Sequence, residues 1–548
     1  MCSIDGSFLP WSLDLRQRLL EQYPLPEGVD PIPDDVLLEP RWVLEFASPE
    51  KDTTSRSSLN GTSNGTSDRG VSGQATNGSH EQPPDTDVPP DDLLPVPGSI
   101  PATLVSNDRV TPQSHWQDVR HLTFTTPTPT PYAPGDVLTI YPKNFPSDVN
   151  AFLDLMHWTP IADAPLNLTP TDPSGPSSSS YPPAPIPHSA DGAPLTLRAL
   201  LTNHLDILSI PRRSFFALLA HFASDAFQRE RLHEFANPVY LDELYDYTTR
   251  PRRSTLEVLQ EFSSVAIPWQ RVASTIPPLR GRQFSIASGG RLKSGPAAET
   301  RIELLVAIVA YRTVIKRLRR GVCTRYVAAL RPGQRLSVTL QRGGLAVSRA
   351  EARTPVVMVG PGTGVAPMRA LVHERLAWWE DEGLPKPAVG DVLFFGCRNR
   401  DRDFFFRAEW EGLRERVEVL PAFSRDQVSS LPSGSRGRVR RREADGKGRG
   451  RRFMCRTSSA GMRSACMRRS LRTVVWCTSA GKSGPAPSAD PGACVLTRAI
   501  SRSSGKMPQA VREALIEVFQ SEGGLARTDA EAYLSKMEKE GRYKQETW

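Results

Sequence analysis

The sequence predicts α+β followed by α/β: an antiparallel β-barrel with a helical insert, then a parallel sheet with helices on its faces. Three observations predict this order. Alternating apolar residues broken by turn chemistry run from Pro101 to Tyr141 and return after Pro277. Between them, residues 145–275 carry apolar positions at helical spacing. From Thr354 the pattern becomes strand, glycine loop, helix, which argues for parallel strands joined by helical crossovers.

Taken in order, Trp11 to Leu20 reads as a short helix, followed by a Pro-rich extended stretch reaching Trp42–Phe46. Residues 1–47 together read as a linker-like segment. Residues 48–98 are rich in Ser, Thr, Gly, Asn and Asp, the composition of a disordered insert. The barrel is placed at 99–350, with strands in Ala102-Thr-Leu-Val, His121-Leu-Thr-Phe, Tyr132–Tyr141, Gln283-Phe-Ser-Ile-Ala, Arg301–Val309 and Arg335–Leu340. Helices Leu195–Leu208, Arg213–Ala223 and Leu241–Phe262 fill the insert, interrupted by a loop from Thr171 to Gly192. The second domain, 351–548, opens on Val356-Val-Met-Val and the helix Met368–Asp381. Strands at Val392 and Val417 follow, and helices Gln509–Glu522 and Asp529–Glu540 come last.

A chain of 548 residues calls for two or three domains, and its 50 prolines imply long irregular stretches. No run of 18 apolar residues suggests a membrane span, and Met1 to Pro10 lacks the pattern of a secretory signal. The sequons at Asn60, Asn64 and Asn77 lie in a Ser/Gly/Asn tract where chance matches are common, so a cytoplasmic location is expected. The net charge of +8 does not point to nucleic acid. Pro432 to Arg472 holds 13 Arg and 1 Lys against Glu443 and Asp445, a net +12, which leaves −4 for the rest. Cys455, Cys466, Cys477 and Cys494 lie in or just after that block, and no CxxC pair supports a metal site or a disulfide framework.

The strongest motif is Gly360-Pro-Gly-Thr-Gly-Val-Ala-Pro-Met-Arg369. Gly360, Gly362 and Gly364, with Thr363, follow an apolar strand and open a helix, so backbone N–H groups can approach a pyrophosphate. Alone, such a loop is often only a tight turn. It has company in Gly396-Cys-Arg398 and in Ala422-Phe-Ser424-Arg425, each closing a further strand. A Ser–Arg pair there suits a ribose 2′-phosphate, which selects NADPH over NADH. Read alone, that pair would be a solvated strand end. Upstream, Arg282, Gln283, Phe284 and Ser285 put a cation, an aromatic ring and a hydroxyl on one short strand, suited to a flavin's pyrophosphate, ring and reactive edge. Gly321, Val322, Cys323 and Thr324 open a helix over Arg325–Leu330 and give a second anion-binding terminus.

In this order, and closed by Glu546-Thr-Trp548, these motifs resemble the ferredoxin–NADP reductase superfamily. Within it they are closest to the NADPH-dependent diflavin oxidoreductases of cytosolic iron–sulfur assembly. His115-Trp-Gln-Asp-Val-Arg-His121, Tyr132-x-Pro-Gly-Asp136 and Arg250–Leu259 share in that resemblance, which covers roughly 1–47, 98–427 and 503–548. It implies an FAD-binding barrel and an NADPH-binding domain. Arg250, Arg282 to Ser285 and Gly321 to Thr324 would contact FAD; Thr363, Ser424 and Arg425 would contact NADPH. Trp548 would cover the flavin, with Glu546 an acid beside it and Ser285 at the reactive edge. Electrons would pass to an FMN domain and then to an anamorsin-type iron–sulfur protein.

Two departures from the family stand out. Fewer than 100 residues precede the barrel, and the start, Gly6-Ser-Phe-Leu-Pro-Trp11, resembles the family's linker after its FMN domain, so that domain is expected to be absent. Residues 428–502 show neither the family's Lys-x-Tyr-Val-Gln stretch nor its Tyr-Val-Cys-Gly strand. Phe453–Arg456 and Val474–Ala480 can be encoded so that another frame restores much of both, and Gln427-Val-Ser fits an exon end. A translated intron with frame loss to about Ser503 accounts for this, and it implies a sheet lacking a central strand. The rival readings are a stand-alone FAD reductase for another acceptor and a non-enzymatic or defective FAD-binding isoform.

Overall fold

This computed structural model describes residues 4–26, 28–29, 33, 36–47, 87–171, 194–387, 390–426, 473–478 and 507–547. The sequons, the loop at 172–193, the Arg-rich block and Trp548 lie outside the described residues.

After a first helix, α1 (Ile4–Gln22), the strand β1 (Trp42–Phe46) leads to three barrel strands: β2 (Ile100–Arg109), β3 (Val119–Thr126) and β4 (Val137–Ile140). The insert follows as α2 (Pro146–Leu155), β5 (Leu166–Pro170), α3 (Leu197–Asn203), α4 (Arg213–Ala220), α5 (Ala226–Ala236), α6 (Leu241–Leu244), α7 (Thr255–Glu261) and α8 (Val272–Thr275). The chain then returns through β6 (Arg282–Ser285), β7 (Thr300–Ala307), the hairpin β8 (Ala310–Arg312) and β9 (Leu318–Arg320), α9 (Val322–Ala329) and β10 (Arg335–Gln341). The barrel order is β6-β4-β10-β2-β3-β7, every pair antiparallel, and an Ile286–Leu304 bridge draws its two edges together. Leu104, Leu122, Phe124, Leu138, Ile140 and Val338 alternate inward to fill it.

Helical spacing in the insert gives its own core around Phe152, Phe216, Phe235 and Val258. The expected single helix over Leu241–Phe262 is broken. A π turn at Tyr245–Thr249 runs into Arg250-Pro251, and α7 restarts at Ser254, whose hydroxyl and Glu257 form a capping box. The linker-like segment 1–47 ends in the insert, because β1 pairs antiparallel with β5 and Leu44 is buried in that core. The expectation of disorder over 48–98 does not hold for its last part. Residues 87–98 strap the barrel: buried Lys143 donates to Pro90 O at 2.6 Å and Asp92 O at 2.7 Å, and Ser337 Oγ donates to Leu94 O.

The second domain contributes β11 (Val356–Pro361), α10 (Val365–Glu380), β12 (Val392–Cys397), α11 (Arg407–Gly412), β13 (Glu418–Phe423), β14 (Thr473–Thr478), α12 (Met507–Gly523), α13 (Arg527–Lys539) and β15 (Tyr543–Thr547). They form one parallel sheet in the order β13-β12-β11-β14-β15. The expectation of a missing central strand is therefore overturned. Thr473–Thr478 pairs in register with both Val356–Val359 and Tyr543–Thr547. Pairing is made by the backbone, and Thr-Val-Val-Trp-Cys-Thr is rich in β-branched and aromatic residues whatever surrounds it. One face of the sheet packs on α12 and α13 through Val357, Val359, Leu515 and Leu534. The other packs on α10 in a core that also takes in Val119, Ala287 and Leu305 of the barrel. Among the described residues no helix is long and apolar enough to cross a membrane.

Candidate functional site

Local chemistry builds the first half of the site. β11 ends in the 3₁₀ turn Gly362–Gly364, from which α10 starts. A Cβ on Gly360 would stand 2.9 Å from Val365 Cα and 3.0 Å from Gly364 O, so the turn closes only around glycine. Gly362 sits at φ +57°. The orphan N–H groups at the start of the 16-residue α10 therefore open at the carboxyl end of the sheet, where a pyrophosphate is held in this architecture.

Two further strand ends lie beside it. Ser424 N donates to Cys397 O at 2.9 Å and Arg425 N to Arg398 O at 2.8 Å, which sets Ser424, Arg425 and Arg398 side by side. Asp403 accepts from the backbone N–H groups of Arg398 and Asn399 and fixes the turn. Burial, and then the neighbouring Arg425, lower the Arg398 pKa. Its Nη1 is buried and has no hydrogen-bond partner. Two adjacent cations with an orphaned buried donor fit a phosphate.

The flavin half is less tightly gathered. Arg282 and Gln283 are exposed and Phe284 and Ser285 half-buried on β6, the edge strand paired to β4. Arg282 bonds to its own neighbour Arg280 O, and Gln283 to Gln341. Gly321 is required where it stands, because a Cβ would meet Thr324 Oγ1 at 2.7 Å. Thr324 is committed to that turn, accepting from Val309 N at 3.0 Å. Cys323 turns its side chain inward. It is buried in the barrel core and its thiol is pushed up to about 12 by burial, which leaves the helix-start N–H groups of Val322 and Cys323 as the groups suited to an anion. Arg250 is exposed and ion-paired with Asp246, while the next residue's carbonyl, Pro251 O, accepts from Arg319 Nε at 3.3 Å, two residues before Gly321.

The last strand joins the halves. β15 belongs to the dinucleotide sheet, yet Glu546 Oε1 accepts from Gly344 N of the barrel at 2.8 Å and Lys544 donates to Ala346 O. Gly343 N in turn reaches Asp136 Oδ1 at 3.3 Å, and the adjoining Val137 is the register partner of Ser285. Glu546 is thus brought to the barrel rim that carries Ser285, with no hydrogen bond between the two. Burial raises the Glu546 pKa against the Gly344 N–H, and Oε2 is buried without a partner. An orphaned carboxylate oxygen at that rim fits the polar edge of a flavin.

Sequence reasoning passed over a second joint between the domains. Buried Arg369 donates to Glu303 Oε2 at 2.6 Å, to Ala287 O at 2.9 Å and, through Nε and Nη2, to both oxygens of Glu409. His121 reaches Glu303 at 3.1 Å and His373 reaches Glu409 at 2.7 Å. Burial would raise the Glu303 carboxyl, but the His121 bond and the Arg369 charge hold it down at about 2. The available signal was an arginine inside the apolar run Ala366-Pro-Met-Arg-Ala-Leu-Val372. A cation buried there requires a carboxylate from another element.

A barrel beside a parallel sheet, with a phosphate turn at one strand end and an acid at the shared rim, defines a flavin- and dinucleotide-binding reductase. Comparison with known proteins agrees. Residues 98–326 match the FAD binding domain and residues 358–448 the oxidoreductase NAD-binding domain. NADPH-dependent diflavin oxidoreductase 1 of Emericella nidulans is 45% identical over 558 residues, covering 100% of this chain and 76% of that protein. Its counterpart in Aspergillus fumigatus is 45% identical, covering 100% of this chain and 77% of its own. That of Bos taurus is 34% identical over 99% of this chain and 77% of its own. The chain belongs to the NADPH-dependent diflavin oxidoreductase family.

Proposed function

We propose that this chain takes hydride from NADPH onto its FAD and passes electrons onward, through an FMN domain, to an anamorsin-type iron–sulfur protein of cytosolic cluster assembly. When bound, FAD supplies the conversion of a two-electron donor into single electrons. The chain's own part is orientation and electrostatics. Gly360, Gly362, Thr363 and Gly364 cradle the pyrophosphate, and Arg398, Ser424 and Arg425 take the 2′-phosphate. Arg282, the Gly321–Thr324 backbone and Arg250 take the flavin's phosphates. Phe284 and Ser285 line its ring, and Glu546 Oε2 holds a proton at its edge. Trp548, two residues further in sequence, is assigned by the family resemblance to cover the ring.

The observation that carries this reading is the strand β15, which lies in the dinucleotide sheet while Glu546 is bonded to the barrel. One strand thereby ties the parallel sheet to the barrel rim, which supports a nicotinamide end held against a flavin end. The test is the visible spectrum of the purified chain and its response to NADPH without oxygen. FAD bleached by NADPH supports the proposal; FAD that stays oxidised, or absent flavin, overturns it. Adding a separately expressed FMN domain tests the exit. Reduction of the iron–sulfur protein only in its presence supports the route, and direct reduction favours a stand-alone reductase.

A further inference from the structure

The loop joining β2 to β3 was given no role in the site described above, yet it reaches the second domain. It is held rigidly from within: Arg109 donates to Thr111 O, Pro112 O and His115 O, and Thr111 Oγ1 donates to Gln117 O at 2.9 Å. At its tip His115 is 5% exposed with no hydrogen-bond partner on either ring nitrogen, while Trp116 is 54% exposed. The Arg398 guanidinium lies over the Trp116 ring, 4.1 Å from its centroid. A barrel residue therefore carries a cation of the phosphate site on its aromatic face.

That contact has a consequence. A guanidinium held over a ring face is attracted by the ring's quadrupole rather than by a hydrogen-bond acceptor, so its N–H groups are not spent on the contact and can serve an oxyanion. Among the described residues no carboxylate takes a hydrogen bond from the Arg398 guanidinium, because Asp403 is occupied by backbone N–H groups. The ring holds the cation without neutralising it. We propose that Trp116 is a positioning residue for dinucleotide selectivity, holding Arg398 in place for the 2′-phosphate beside Arg425. The inference rests on the assignment of Ser424–Arg425 to that phosphate and adds that the barrel, as well as the dinucleotide domain, sets the preference for NADPH.

Calorimetric titration of the full chain with adenosine 2′,5′-bisphosphate and with 5′-AMP tests this. Trp116→Ala is expected to weaken the bisphosphate by about threefold to thirtyfold, the range of a cation–π contact, and to leave 5′-AMP within about twofold. In ferricyanide reduction the KM for NADPH rises by the same factor, with kcat and the KM for NADH unchanged. Trp116→Phe, which keeps an aromatic face, recovers most of the loss. Equal weakening of both nucleotides, or of neither, overturns the proposal when Arg425→Ala still weakens the bisphosphate selectively. If Arg425→Ala also fails to discriminate, the phosphate assignment itself falls, and the role of Trp116 falls with it.

Discussion

Arg369→Met removes one cation and keeps most of the side chain's apolar stem, so it isolates the charge at the domain interface. Arg369 is 4% exposed and Glu303 1% exposed, and the pair is closed at 2.6 Å. Removing one partner of such a pair strands the other, at a cost of about 3–5 kcal/mol. Proton linkage bounds the part that Glu303 feels: it is carried from an ordinary 4.5 to about 2, worth on the order of 3 kcal/mol at neutral pH and shared between His121 and Arg369. At about 2–4 °C per kcal/mol for a domain of this size, the melting point should fall by about 6–20 °C. Circular dichroism together with the release of flavin fluorescence measures it. Glu303→Gln should cost less, since Arg369 keeps its two-pronged bond to Glu409. The double variant should recover at least about 1 kcal/mol of the summed losses, because both charges leave together. A depressed acid stabilises above its unfolded pKa, so the wild-type advantage over Glu303→Gln should be full above pH 4.5 and shrink toward about pH 2. A melting shift under about 2 °C for Arg369→Met, or strict additivity in the double variant, would show that solvent or His373 already neutralises the site.

Other outcomes follow from single residues. Burial, and secondarily Lys143, lower the His204 pKa to about 4, so the unfolded chain binds this proton first; stability should decline as pH falls from 6.5 toward about 4, and His204→Gln should flatten that limb in urea titrations. Glu546→Gln should slow NADPH-dependent bleaching by about 10²-fold in stopped flow and remove its acidic limb; an unaltered pH profile would take Glu546 out of the chemistry. Val475→Pro deletes a backbone donor from a strand paired on both sides, leaving a partner unsatisfied at a cost of about 1–3 kcal/mol, and should abolish the response to NADPH while FAD stays bound. Unchanged bleaching in that variant would mean that β14 is dispensable to the sheet.

Where a signal is local, the sequence carried it. Barrel strands, the Gly360 turn and the strand ends at Arg398 and Ser424 follow from alternation and turn chemistry within ten residues. The helix α5 escaped because its charges blur any stripe, although Asp225 accepts from Gln228 N as an N-cap that could have been read. Averaging the composition of 48–98 hid the strap, whose Leu94 is 7% exposed, inside a polar tract. The Arg-rich surroundings hid β14 in the same way. Contacts between domains left the least trace. Nothing near Glu303 in sequence names Arg369, and nothing near Trp116 names Arg398, because such pairs exist only once two separately folded units meet.

Those unread contacts share one consequence. Domains within a chain are expected to move against each other unless their interface is large and apolar. Here Val119, Ala287 and Leu305 of the barrel sit in the same core as Met368, Leu371 and Val372 of α10. Gly289 is pressed so closely on α10 that a Cβ there would overlap Ala370 O at 1.9 Å. Among the polar joints around that packing are Glu303–Arg369–Glu409, Gly344–Glu546 and Trp116–Arg398. Each links a barrel residue to a residue beside the dinucleotide turn, a strand end or the shared rim. The spacing between the nicotinamide and flavin ends is therefore set by close packing and buried charge, which resist small displacements far more steeply than a loop does. Substitutions at the Glu303–Arg369–Glu409 joint should alter hydride transfer even though its residues are assigned to neither cofactor. Their effects should track the loss of interface stability rather than the loss of binding.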